Sequence, residues 1–311
     1  MFMIFRTIVI IIQHLWLYMY YNNKEKDMKK EKYDYLINDK QHDLTLYKAG
    51  NLESKKIIFV FSGAYRLTCD TYIQKTVNDL LLKKWISDNY QIIVVEKLDN
   101  LGIMIYKDIS NYIRFLNKQI EIDELIMLGF SSGGVTASHV MALLQDLKFK
   151  KTIITYDTPY HVLHNVFSFE NNLFLRIDFY FYYIVYNSYL NYYNYENIKN
   201  FVKYDKWSYG ASELIEMIKK IHKIDYKELD YLSGFNFHQD KNTNLKNIYC
   251  YYDSIVDSEI CKKYIKNNIK NLKIQNFIIY EIGHCSNIQI DEIYNYIYYK
   301  SPSNEIYEHY Y

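Results

Sequence analysis

ELIMLGFSSGGV, residues 124–135, is the stretch whose reading decides the fold. The apolar run Leu125-Ile126-Met127-Leu128 has the length of a buried strand. It stops abruptly at Gly129-Phe130-Ser131-Ser132-Gly133-Gly134, and a helical pattern follows through Ala137, Val140, Met141 and Leu144. Strand, tight turn and helix therefore meet at Ser131. Such a turn has no room for a β-carbon two residues to either side of its apex, so Gly129 and Gly133 have a steric reason to be there. Gly134 lets the helix lie close to the strand. The chain holds only nine glycines, and three of them fall in this one hexapeptide.

Outward from this stretch the chain alternates. Ile57–Phe61 is a continuous β-branched and aromatic run, typical of a strand buried on both faces, and it ends in Ser62-Gly63-Ala64-Tyr65. A helical pattern over residues 72–85 leads to a strand at 92–95, and a second over 103–116 leads to the 125–128 strand. Residues 152–156 form a further strand ending in Asp157-Thr158-Pro159, and residues 44–47 a short strand ahead of the rest. From 161 to about 235 the alternation stops in favour of a Tyr- and Phe-dense stretch and one amphipathic helix over 212–221. Residues 161–235 are thus expected to be an inserted cap. Alternation resumes with strands at 247–252 and 274–280 and helices at 258–269 and 287–299. This order predicts an α/β domain over 44–300, with a mostly parallel sheet covered by helices on both faces.

The flanks are different in kind. Residues 1–21 are hydrophobic but interrupted by Arg6, Gln13 and His14. They are expected to associate with a membrane, as an interfacial helix or as a span of borderline length. The Lys excess after them would leave the main domain on the cytoplasmic side, or the protein cytoplasmic if they do not insert. Residues 22–43 read as a polar linker and 301–311 as a C-terminal tail. A net charge of +1 gives no basis for a nucleic-acid surface. The 37 tyrosines accompany abundant Asn, Lys and Ile, all with AT-rich codons, so aromatic density by itself carries no functional weight. Cys69, Cys250, Cys261 and Cys285 lie far apart without C-x-x-C spacing, which predicts neither a metal site nor a disulfide framework.

Gly129-x-Ser131-x-Gly133 in a strand–turn–helix context is the pattern of a nucleophile elbow. A serine hydroxyl is a poor nucleophile at neutral pH, so it needs a base, a group that orients the base, and donors for the developing oxyanion. In an open α/β sheet all of these belong just beyond the C-terminal ends of strands. His284, in Glu281-Ile282-Gly283-His284-Cys285, follows the last expected strand and is the candidate base. Asp253 ends the 247–252 strand and is the first candidate acid; Asp157, ending the strand after the elbow helix, is the alternative. The backbone N–H groups of Ser132 and Ala64 are the candidate oxyanion donors. The glycine spacing at 129–134 fits neither a dinucleotide-binding loop nor a P-loop.

With GFSSGG at 129–134, FSGA at 61–64, YYDSIVD at 251–257 and EIGHC at 281–285, the chain resembles the α/β-hydrolase superfamily over roughly residues 55–300. The chain order of Ser131, Asp253 and His284 is that family's order. The resemblance implies an eight-stranded, mostly parallel sheet and a Ser-His-Asp mechanism that uses no cofactor. The chain departs from the pattern at Ser62, where many members carry His, and at Asp257, where Pro often follows the acid. Apolar character at the N-terminus and in the 161–235 insertion (Phe167, Phe169, Phe174, Phe179, Phe181) suggests a lipid or other acyl ester as substrate, with a short-chain ester, a thioester or an amide as the alternatives. The rival expectation is a catalytically silent hydrolase fold serving as a membrane-associated binding or scaffold module. His139, His161 and His164 are read as structural or surface residues. Nothing in the sequence speaks to oligomeric state.

Overall fold

The computed structural model describes residues 29–37, 40–61, 63, 82–95, 106–162, 219, 223–236, 241–253, 256, 260, 261, 263, 264, 267, 273–282 and 306–309. Nine strands form one sheet: β1 (Lys29–Ile37), β2 (Lys40–Gly50), β3 (Lys56–Phe61), β4 (Gln91–Val95), β5 (Glu124–Phe130), β6 (Lys150–Tyr156), β7 (Thr243–Tyr252), β8 (Lys273–Ile282) and β9 (Ile306–His309). Their spatial order is β1-β2-β4-β3-β5-β6-β7-β8-β9. β2 pairs antiparallel with β1 and with β4, and every other pairing is parallel. The described helices are α1 (Leu82–Ser87), α2 (Tyr106–Ile120), α3 (Ser132–Ala142) and α4 (Tyr226–Ser233).

The central strands are buried along nearly their whole length, as their uninterrupted apolar runs require. Alternate residues serve opposite faces. Ile57, Phe59, Phe61, Leu125 and Met127 join Ile109, Ile113, Val140 and Met141 of α2 and α3 in one apolar core. Their neighbours Ile58, Val60, Ile126 and Leu128 point the other way and are equally buried. α1, with its fully buried Trp85, packs against β2 and β4. Both faces are therefore covered, and the sheet is the mixed, mostly parallel kind that the alternation predicts.

Two departures concern the sheet edges. Residues 29–43, expected within a linker, form β1 and the start of β2, paired in a register that leaves only Asn38-Asp39 between them. The sheet runs to nine strands rather than eight because Ile306–His309, expected within a tail, pairs parallel with β8. Edge strands tolerate charge, since lysines there discourage pairing with other chains, and so lack the apolar signature of central ones. In the expected 161–235 insertion, α4 starts at Asp225, whose side chain accepts the Glu228 N–H at 2.7 Å in a capping arrangement. Residues 1–21, the helix expected at 287–299, that expected at 212–221 apart from the helical residue 219, and the aromatic side chains between 167 and 181 lie outside the described residues. Among the described residues, no helix is long and apolar enough to cross a membrane.

β3 leads to β4 on one side, and the chain then crosses back to place β5 on the other, with β6, β7 and β8 following outward. The order thus reverses between β3 and β5, and their C-terminal ends frame the crevice where such sheets bind ligands. A buried polar ladder runs across the strands beyond. The Thr155 hydroxyl donates to Asn247 Oδ1 (2.7 Å), and Asn247 Nδ2 donates to Asn276 Oδ1 (2.9 Å), all in one register across β6, β7 and β8. Asn247→Ala leaves both partners without their mates. It is expected to lower unfolding free energy by about 1–3 kcal/mol in urea titration, and no measurable loss would mean the ladder carries no stability.

Candidate active site

Ser131 sits at the junction of β5 and α3 with φ 50° and ψ −130°. That region is sparsely populated for a residue with a β-carbon and costs of order 1–3 kcal/mol, so the surroundings must hold it. They do. The Ser131 N–H donates to the Tyr156 carbonyl of β6 at 2.8 Å, and the Ser131 carbonyl accepts the Gly134 N–H at 3.1 Å. A β-carbon on Gly129 would lie 2.3 Å from Gly134 Cα and 2.4 Å from its nitrogen, so only glycine admits the first turn of α3 over the strand end. A β-carbon on Gly134 would meet the Thr158 hydroxyl at 2.1 Å. Close packing of helix on strand thus falls to Gly129, and Gly134 makes room for the segment after β6. The Ser131 side chain forms no capping bond to α3 and is partly exposed.

The β3 exit reaches the same point. A β-carbon on Gly63 would lie 2.9 Å from Ser131 Cβ and 3.5 Å from Ser131 Oγ. Residues from β3 and β5 thus meet at the reversal of strand order. Ser132 opens α3, so its N–H belongs to the helix's first turn, at the positive end of the dipole. Its side chain is buried. Ala64, the other expected donor, lies outside the described residues.

Of the two candidate acids, Asp253 follows the last residue of β7 and is partly exposed. Its N–H donates to the Cys250 carbonyl at 3.2 Å and its Oδ1 accepts the Val256 N–H at 3.1 Å, which closes a turn beyond the strand. Asp157 is buried, with φ 46°, one residue past β6. Its Oδ1 accepts the Cys250 N–H at 2.6 Å. Burial, and then the charges of Asp157 and Asp253, push the Cys250 thiol well above its ordinary pKa. Both carboxylates therefore act on one buried sulfur. His284, two residues beyond the end of β8, lies outside the described residues.

His139, on the far part of the elbow helix, is structural rather than surface. His139 is buried among Tyr106 and Tyr231, with ring centroids 5.5 Å and 5.1 Å away. Its Nε2 lies 3.0 Å from the Gly234 carbonyl, an acceptor only, so Nε2 carries the proton; Nδ1 then accepts from Asn236 Nδ2 at 3.4 Å. The Ser138 hydroxyl accepts the Asn236 N–H at 2.8 Å, and the Phe235 N–H donates to the Tyr160 carbonyl at 2.7 Å. His161 bridges Gly234 and lies 3.3 Å from Asp230. The segment after α4 is thereby stitched to both α3 and the chain leaving β6. His164 lies outside the described residues. A polar pair such as Ser138-His139 inside an otherwise apolar helix was the only available signal.

Burial brings the His139 pKa down to about 4. Between pH 6.5 and 4 the unfolded chain takes up a proton there and the folded chain does not. The contribution is thus intact above pH 6.5 and lost as pH falls toward 4, a difference of up to about 3 kcal/mol. Urea midpoints across this range are expected to fall less steeply for His139→Gln than for the wild type; parallel curves would contradict the assignment.

No family model matches the sequence, and no curated protein does. Among solved structures, the chain is similar to a candidate esterase from Staphylococcus aureus, with 11% identity over 91% of this chain and 88% of that one and a TM-score of 0.50. The esterase Pf2001 of Pyrococcus furiosus aligns at 12% identity over 86% and 88%, with a TM-score of 0.48. An alpha-beta serine hydrolase homologue from Coxiella burnetii aligns at 11% identity over 86% and 95%, with a TM-score of 0.45. Likeness at such identities speaks to architecture alone. Strand order, strand polarity and the tight turn from β5 into α3 together make this an α/β-hydrolase fold.

Proposed function

We propose that the chain is a serine hydrolase that cleaves a carboxylic ester through an acyl-enzyme intermediate. The observation that carries this reading is the Ser131 backbone, held at φ 50° where the β3 and β5 exits converge. Strain of this kind persists where a side chain must be presented at one spot. No capping bond occupies the hydroxyl, and a helix N-terminus lies beside it.

In this reading His284 takes the Ser131 proton as Oγ attacks the substrate carbonyl carbon. The N–H groups of Ser132 and Ala64 hold the resulting oxyanion, each donor being worth on the order of 10²–10³ in turnover. His284 returns the proton to the departing alcohol, and the ester bond breaks. Water, activated by the same imidazole, then releases the acid and regenerates Ser131. Asp253 orients the imidazole and stabilises its charged form. It is the favoured acid because it stands on the turn beyond β7, ahead of His284 in the chain. The apolar N-terminus and the aromatic 161–235 insertion support a lipid or other acyl ester as the substrate class, with membrane association through residues 1–21.

A fluorophosphonate probe is expected to label the wild type covalently and not Ser131→Ala. Gly63→Ala is expected to label about tenfold more slowly or worse while remaining folded, because its methyl group would push on Ser131; small misplacements of reacting atoms have effects of this size. A folded wild type that does not label would remove the hydrolase reading in favour of a catalytically silent binding module.

A further inference from the structure

We propose that Asp157 is the positioning residue of the turn that carries Asp253, its carboxylate standing in for a main-chain carbonyl that the β6–β7 ladder has lost. This rests on the hydrolase reading for its consequence, though not for its geometry.

In a parallel pair, a residue on one strand donates its N–H to the neighbouring strand and accepts, at its carbonyl, the N–H two residues further along that neighbour. β6 and β7 pair from Lys151↔Thr243 to Tyr156↔Ile248. Asp157 makes the next bond in this series, its N–H donating to the Ile248 carbonyl at 2.9 Å. The following bond should join the Cys250 N–H to the Asp157 carbonyl. The chain has turned away at φ 46°, and the Cys250 N–H goes instead to Asp157 Oδ1 at 2.6 Å. The side chain therefore extends the ladder by one bond past the point where the backbone leaves it. Aspartate suits both demands, since it tolerates positive φ and supplies an acceptor at short reach.

The extra bond matters because of what Cys250 holds. β7 shifts register against β8 between Cys250 and Tyr252, so β8 does not constrain this end of the strand evenly. The Cys250 carbonyl accepts the Asp253 N–H at 3.2 Å, and Asp253 in turn closes its turn on Val256. On the other side, the carbonyl of Tyr156, one residue before Asp157, accepts the Ser131 N–H. A short series of bonds therefore ties the amide of the nucleophile to the amide of the acid, with the Asp157 carboxylate as its single side-chain member. Ser131 and Asp157 occupy equivalent places, each one residue past partners Phe130↔Tyr156, and both have positive φ.

The distinction from a triad acid is chemical. An acceptor role survives replacement of carboxylate by carboxamide; an acid that stabilises an imidazolium does not. The test compares wild type, Asp157→Asn, Asp157→Ala and Asp253→Asn in two measurements: fluorophosphonate labelling rate as a function of pH, and hydrogen exchange of the Cys250 and Asp253 amides. Asp157→Asn is expected to stay within about tenfold of wild type with the acidic limb of its pH profile in place. Asp157→Ala should fall by about 10–100-fold, as loss of an orienting partner does, with faster exchange at Cys250 and Asp253. Asp253→Asn should fall by about 10⁴-fold, with its acidic limb displaced to lower pH. A fall in Asp157→Asn as deep as that expected of Asp253→Asn, with the limb displaced, would overturn the proposal and make Asp157 the acid. So would an Asp157→Ala protein like wild type in both measurements. If Asp157→Ala does not fold, Asp157→Asn alone decides. If the wild type does not label, the hydrolase reading fails by itself, and amide exchange in the variants still tests whether the carboxylate holds Cys250.

Discussion

The structure around the site depends on one exclusion: there is no space for a β-carbon at residue 129. The backbone of Gly134 occupies the place where that carbon would sit, 2.3 Å away. This contact lets α3 begin one residue after Ser131, over the very end of β5. With the helix fixed there, the Ser131 backbone has nowhere to go except φ 50°, and the bond from its N–H to Tyr156 holds it in place. Strain at Ser131 is thus sustained by packing on one side and by the neighbouring strand on the other.

The second constraint is topological. Ser131 matters chemically only if other groups reach it, and the reversal of strand order between β3 and β5 brings the β3 exit to its side. That reversal sets the exits of the two strands side by side. Gly63 then approaches within a methyl group's width of Ser131. β6 and β7 extend the same edge outward, and the residues at their ends, Asp157 and Asp253, lie on the same rim. The C-terminal ends of the parallel strands thus form a common baseline along which Ser131, Asp157 and Asp253 are set out.

Behind the rim, α3 has a second role. Ser138 and His139 face inward from it and hold the chain from Gly234 to Asn236, which in turn bonds to Tyr160. The departure of the chain after β6 and its return after α4 are therefore clasped to the helix that begins just after Ser131. A neutral, buried imidazole with donor and acceptor nitrogens both engaged suits such a clasp, because it satisfies two partners without placing a charge in the core.

The sequence by itself determined the elbow and the central sheet. Both are written in local patterns: short apolar runs, helical periodicity, and three scarce glycines packed into six residues. Local sterics dictate these features, so neighbours in the chain suffice to read them. The edge strands β1 and β9 were decided only by tertiary structure, since a charged edge strand needs a partner already in place to become a strand at all. His139 could be read only as structural or surface, and Gly234, 95 residues away, decides for structural by supplying its acceptor. The carboxylate of Asp157 offered the sharpest ambiguity. Read locally, an aspartate at a strand exit can be an acid, a turn former or a cap. The partner its carboxylate meets is the Cys250 amide, 93 residues further on, and hydrogen-bond partners across such separations exist only once the sheet has brought its strands together.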